Sequence, residues 1–132
     1  MNRTQHGFIA FCILISSFGM QAQVETDPPL LVSNDSTYVK FQNHFYEALK
    51  QKALENYSKA IDELVICKSL NPNESVVFHE LGTNYFKLKQ FEISEFNFQK
   101  AIALDNDNFW YKESLYHLYI DQKRFEDAIL AL

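Results

Sequence analysis

Glycine and proline are scarce, with three of each in 132 residues. That is too few for the tight turns an all-β chain requires, so helix is favoured before any periodicity is considered. Clustered basic residues are also lacking: 12 Lys and Arg stand against 17 Asp and Glu, for a net charge of −5. A phosphate backbone is gripped by grouped cations, which argues against a nucleic-acid partner. No apolar run reaches the ~20 residues that cross a bilayer as a helix. There is no glycine-rich phosphate loop, and no Ser-His-Asp or Cys-His arrangement has supporting context. We therefore expect no enzyme, no cofactor and no metal.

Aromatic residues are abundant instead, at 15% of the chain with 12 Phe and 7 Tyr. The N-terminus carries Arg3 and His6 ahead of an apolar run from Phe8 to Phe18, followed by the polar stretch Gly19–Gln23 with the small residue Ala22. This pattern predicts a cleaved signal peptide over 1–22, with a mature chain beginning near Gln23. Met20, three residues before the cut, is larger than the usual Ala. The Gln after the cut is similar to signal peptides of Gram-negative bacteria, so the chain is expected to be periplasmic, outer-membrane-associated or secreted. Cys12 leaves with that segment and lacks the preceding Leu-x-small pattern of a lipid-anchored protein, so no lipid anchor is expected. Cys67 then remains as a small apolar core residue. Residues 23–35, with Pro28-Pro29 and the Ser33–Ser36 cluster, read as a linker in which Asp35 or Ser36 caps the next helix.

From residue 41 onward the chain repeats itself. Tyr57, Phe91 and Phe125 recur at one constant interval, and each is followed three places later by Ala60, Ser94 or Ala128. Seven places after each come Leu64, Phe98 and Leu132, while Leu81 and Tyr85 recur one interval on as Leu115 and Tyr119. Phe78, Leu81, Gly82 and Tyr85 fall on one face of a helix, and Phe91, Ser94, Phe98 and Ala101 on the matching face of a second. A mid-helix glycine costs about 0.5–1 kcal/mol relative to alanine. Close approach of the second helix at Gly82 supplies the reason for keeping it. The breaks at Asn71-Pro72-Asn73 and Asp105-Asn106-Asp107 combine a helix stop with the next N-cap. Helices are expected at 36–54, 57–70, 74–88, 91–104, 107–121 and 125–132.

These residues resemble the tetratricopeptide repeat family, whose unit runs Trp-x2-Leu-Gly-x2-Tyr, then aromatic, Ala, Phe, Ala and Pro. Residues 75–108 match with Phe78, Leu81, Gly82, Tyr85, Phe91, Phe98 and Ala101, and depart at Ser94 and Asn106. Residues 41–74 match through Tyr57, Ala60, Leu64 and Pro72, and residues 109–132 through Leu115, Tyr119, Phe125 and Ala128, with Tyr116 in place of the glycine. The resemblance implies an all-α, helix-turn-helix solenoid of about two and a half repeats, over 36–132. It also implies a groove lined by the first helix of each unit. The positions concerned include Phe45, Leu49, Lys52, Val76, His79, Thr83, Phe86, Lys87, Trp110, His117, Ile120 and Asp121. Of these, Phe45, Leu49, His79, Phe86, Trp110 and His117 are the candidate protein-binding residues, since aromatic anchors suit a peptide or helix partner. The subgroup that grips a chaperone C-terminus requires Lys and Asn where this chain has Phe45, Tyr46 and Leu49, so that activity is not implied.

Three signals look chemical. His44, His79 and His117 recur at close to the repeat interval, so stacked units bring their imidazoles to one side, where ordinary hydrogen bonding is the expected role. His79-Glu80 has no second His four residues on, and Asp105–Tyr116 lacks the central Gly and final Glu of a calcium loop. The expected function is an exported, non-catalytic module that binds a protein or peptide. The alternatives are the sensory or scaffold front of a longer signalling protein, such as a membrane kinase cut at residue 132, and self-association through residues 125–132.

Overall fold

Six helices follow one another, with no strand among the described residues, 36–132 of a computed structural model. They are α1 (Ser36–Ala53), α2 (Tyr57–Leu70), α3 (Ser75–Lys87), α4 (Phe91–Leu104), α5 (Phe109–Asp121) and α6 (Phe125–Ala131). The expected signal peptide and linker lie outside the described residues. Among the described residues no helix is long and apolar enough to cross a membrane.

Helices pair as hairpins α1/α2, α3/α4 and α5/α6, and each hairpin stacks on the next through α2 on α3 and α4 on α5. The three intra-hairpin turns are built alike. Glu55, Lys89 and Lys123 adopt φ of 60°, 60° and 61°, at equivalent places in successive repeats. This left-handed residue closes the first helix: Glu55 N–H donates to the Lys52 carbonyl at 2.9 Å and Asn56 N–H reaches back to Gln51 at 2.9 Å. Gln90 N–H to Tyr85 and Arg124 N–H to Tyr119 repeat the pattern at 2.9 and 2.8 Å. Glycine is the usual occupant of such a site, and this chain uses charged residues at all three.

Between hairpins the stops are different. Asn71 and Asp105 leave the helical region, Asn71 for an extended conformation, while their N–H groups still reach the Cys67 and Ala101 carbonyls. The N-caps expected within Asn71-Pro72-Asn73 and Asp105-Asn106-Asp107 are corrected: Glu74 and Asn108, the residue after each break, occupy the N-cap positions. Asn108 accepts from the Trp110 N–H at 3.2 Å, whereas Glu74 makes no side-chain cap bond. α3 starts one residue and α5 two residues later than their sequence pattern indicates. Ser36 lies within α1 rather than before it.

The small-residue seam works as the sequence implies. A Cβ on Gly82 would lie 2.6 Å from Phe98 Cδ1 and 2.7 Å from Cε1, so the ring occupies the space that any larger residue needs. Ser94, fully buried, donates its hydroxyl to the Gly82 carbonyl at 2.7 Å, which satisfies a polar group where the repeat ordinarily has Ala. The first hairpin's core gathers Ala48, Ile61, Leu64, Cys67, Val77 and Leu81, and a second cluster joins Phe98 to Leu115, Leu118, Tyr119 and Ala128. Each cluster draws on two consecutive units, so no hairpin completes its core alone. At the last junction Arg124 pairs with Glu95 at 2.6 Å and Asp127 at 2.7 Å, with its guanidinium carbon 4.4 Å from the Tyr119 ring centre. That knits α4, α5 and α6 through one side chain.

Candidate functional site

The first helices α1, α3 and α5 form a row held by polar contacts between neighbours. Lys52 reaches Glu80 at 2.6 Å, joining α1 to α3, and Ser75 meets the Tyr111 hydroxyl at 3.3 Å, joining α3 to α5. His79 Nε2 lies 2.8 Å from Ser114 Oγ, and its ring packs 4.8 Å from Tyr111 and 5.6 Å from Phe98, centre to centre. Burial holds the His79 imidazole below its ordinary titration range, with the nearby Glu80 carboxylate opposing and Lys52 adding to the shift. A neutral ring is therefore favoured, wedged between units.

The six candidate residues separate into three groups. Phe45 and Leu49 are half-buried; Phe45 stacks on Phe41 at 5.9 Å and packs against the first hairpin's core. His79 is committed to the α3–α5 contact. Phe86 and His117 come together, lining a cavity of about 150 Å³ with Thr83, Phe98, Ser114 and Leu118. Trp110 is 69% exposed in the first turn of α5, beside the exposed Phe109. It does not line that cavity and forms a separate aromatic platform. The pattern of positions missed Ser114 and Leu118, which reach the cavity only because α5 stacks on α3. Their spacing, one turn apart on one helix face, was the available signal.

The histidines do not converge. His44 Nδ1 lies 2.6 Å from Glu63, His79 faces Ser114, and His117 is exposed with an edge contact to Tyr116 at 5.3 Å. Among the described residues no three His, Cys, Asp or Glu side chains gather where they could hold one ion. Cys67 is fully buried, with its thiol 3.7 Å from the Phe41 carbonyl. Burial, and next the Glu63 charge, push the thiol up to about 11, which keeps it protonated and unreactive.

A larger cavity, about 570 Å³, lies away from this row, between α4, α5 and α6, where Ile102, Lys112, Leu115 and Leu130 contribute to its walls. In the preceding unit the residue equivalent to Lys112 is Phe78, which Ala101 covers and over which the Lys100 ammonium sits 6.0 Å from the ring centre.

Repeated hairpins, identical left-handed turns and the small-residue seam together decide the architecture. The chain has the tetratricopeptide repeat fold. Solved structures agree. The chain superimposes on MamA 41-end from Desulfovibrio magneticus RS-1 with a TM-score of 0.67 at 20% identity, covering 69% of this chain and 51% of that one. It is similar to the first tetratricopeptide domain of Spaghetti (RPAP3), bound to an HSP90 peptide, with a TM-score of 0.66 at 21% identity over 70% of this chain and 73% of that one. The Sgt2 tetratricopeptide domain from Aspergillus fumigatus gives 0.66 at 21% identity, over 70% and 61% of the two chains. The chain spans about half the length of the MamA chains it matches, at 51%. No family model matches the chain, and no curated protein does.

Proposed function

We propose that this tetratricopeptide chain is an exported, non-catalytic module that binds a partner protein or peptide along the row of first helices. The observation that carries this is the division of labour among the aromatics on that row. Phe45 and His79 are used by the fold, whereas Trp110 lies 69% exposed and Phe86, which packs against the second core cluster on one side, lines an apolar cavity on the other. An exposed Trp and an apolar pocket along one row of helices are features of an anchor-binding surface. One solved neighbour of the same fold is bound to an HSP90 peptide, which supports this mode of use without carrying that ligand over. Export is proposed from the sequence of residues 1–22, and its location is periplasmic, outer-membrane-associated or secreted.

The alternative, a sensory or scaffold front of a longer signalling protein, uses the same row in the same way; reading the gene past the Leu132 codon separates it from the first. The binding reading is tested by titrating a partner recovered by in-cell crosslinking against the full chain and a Trp110→Ala, Phe86→Ala variant. Affinity should fall by about 1–3 kcal/mol for the pair, the range of aromatic anchors. Unchanged affinity in a folded variant removes the row from the interface. Export is tested by N-terminal sequencing of the mature chain, expected to begin at Gln23.

A further inference from the structure

The geometry points to the cavity between α3 and α5 as the seat of a single leucine-sized side chain from an extended peptide, with an acidic residue next to it in the peptide. This deepens the groove reading and rests on it. The cavity of about 150 Å³ is walled by Thr83, Phe86, Phe98, Ser114, His117 and Leu118. An apolar cavity of this size takes a group as large as benzene. Two of its polar side chains are already engaged: Thr83 Oγ1 donates to the His79 carbonyl at 3.0 Å, and Ser114 Oγ donates to the Trp110 carbonyl at 2.9 Å and faces His79 Nε2 at 2.8 Å. With those hydroxyls donating elsewhere, what the cavity offers an occupant is the Phe86 and Phe98 rings, the Leu118 side chain and, at its exposed rim, the His117 imidazole. A charged or amide group entering it would leave hydration behind with only the His117 imidazole at the exposed rim to replace it.

The charge at one end of the cavity supplies the second requirement. Lys87 stands one helical turn beyond Thr83 on the same face of α3. Lys89 follows in the turn, its ammonium 5.4 Å from the centre of the Phe86 ring. Against these two cations the facing helix presents Asp121, 3.8 Å from Lys89, in an exposed pair. Such a pair is worth little, so Lys89 can turn to a ligand carboxylate at small cost, and one cation stays in excess. A peptide carrying Leu, Ile, Met or Phe followed by Asp or Glu matches both features.

Random linear dodecapeptides displayed on phage are selected on the full chain, and recovered peptides are synthesised and titrated by fluorescence anisotropy. The expected result is a shared aliphatic or phenyl residue beside an acidic one. Replacing that residue with Ala weakens binding about tenfold or more, the discrimination an apolar pocket commonly gives. Thr83→Leu plugs the cavity with the residue that Leu49 already places at the same position in the first unit, and weakens binding similarly. Lys87→Gln with Lys89→Gln weakens it several-fold and flattens its salt dependence. Peptides that lose affinity in Trp110→Ala but are indifferent to Thr83→Leu and to their own apolar residue overturn the pocket and leave the groove reading standing. Peptides indifferent to both protein variants, or the recovery of none on chain shown folded by circular dichroism, overturn both. The peptide's own Leu→Ala comparison decides the matter even if Thr83→Leu fails to fold.

Discussion

Gly82→Ala is the substitution most exposed to refutation. Helix propensity alone predicts a gain of about 1 kcal/mol, because alanine is the better helix former. The seam predicts the reverse. The new methyl would sit 2.6 and 2.7 Å from two carbons of the Phe98 ring, and that ring is 3% exposed, within the cluster of Leu115, Leu118, Tyr119 and Ala128. The ring must be driven toward the cavity it floors, out of its place in that cluster, or α3 and α4 must part. Overpacking of this kind costs about 1–3 kcal/mol. Parting the helices also stretches the buried Ser94 hydroxyl from the Gly82 carbonyl, now at 2.7 Å, at a further ~1–3 kcal/mol if the bond is lost. After the propensity gain, a net loss of about 2–3 kcal/mol remains, equivalent to a fall in Tm of roughly 8–24 °C for a domain of this size. Urea denaturation followed by far-ultraviolet circular dichroism measures it. The first unit contains its own control: Ala48 stands where Gly82 does, and there the ring is replaced by Leu64. Phe98→Leu in the Gly82→Ala background should therefore recover much of the loss, with a coupling energy above ~1 kcal/mol in the double-mutant cycle. A Gly82→Ala chain as stable as the parent, or a cycle without coupling, would refute the close-approach argument.

Glycine at the three left-handed turn positions should act the other way. Glu55→Gly, Lys89→Gly and Lys123→Gly each relieve a φ near 60°, and each should stabilise by up to about 1 kcal/mol, read as additive rises in the urea midpoint. Stability should also fall with acid. His79 titrates lower in the folded chain than its ordinary 6.5, so the unfolded chain takes up the proton first. Its contribution is then complete above about pH 6.5 and is lost as the pH drops below that value. His79→Gln should flatten this part of the stability-versus-pH curve. Cys67 should resist a disulfide-exchange reagent in native buffer and react fully in urea, at a rate set by unfolding, because its thiol is buried and protonated near neutrality. Appending a copy of Gln99–Leu104 after Leu132 places small and aliphatic residues beside the 570 Å³ cavity. Thermal melts should rise by several degrees, since burying two aliphatic side chains is worth about 3 kcal/mol before the entropy of ordering the added turns is subtracted.

Much of this molecule is legible in one dimension. The spacing of Tyr57, Phe91 and Phe125, the small residues three places on, and the stops near Asn71 and Asp105 determined six helices in three hairpins, with ends that agree with the structure to within about two residues. They do so because helix geometry converts a fixed residue interval into a fixed position on a face. The same logic picked out Gly82 as a contact point. What the pattern could not decide was which side chains the stacking leaves over. Phe45 and His79 occupy one place in their repeats and Val76 and Trp110 another, yet His79 is wedged between Tyr111 and Phe98, Phe45 packs on Phe41, Val76 packs against the first core cluster, and Trp110 stays exposed. Those outcomes depend on the neighbour presented by the next unit, a full repeat away in the chain, and on the distance at which the seam holds it. The cavity of Thr83, Phe86, Ser114 and Leu118 has the same origin. Its walls come from two hairpins and its floor, Phe98, from a third helix, so it exists only once packing has set their separation.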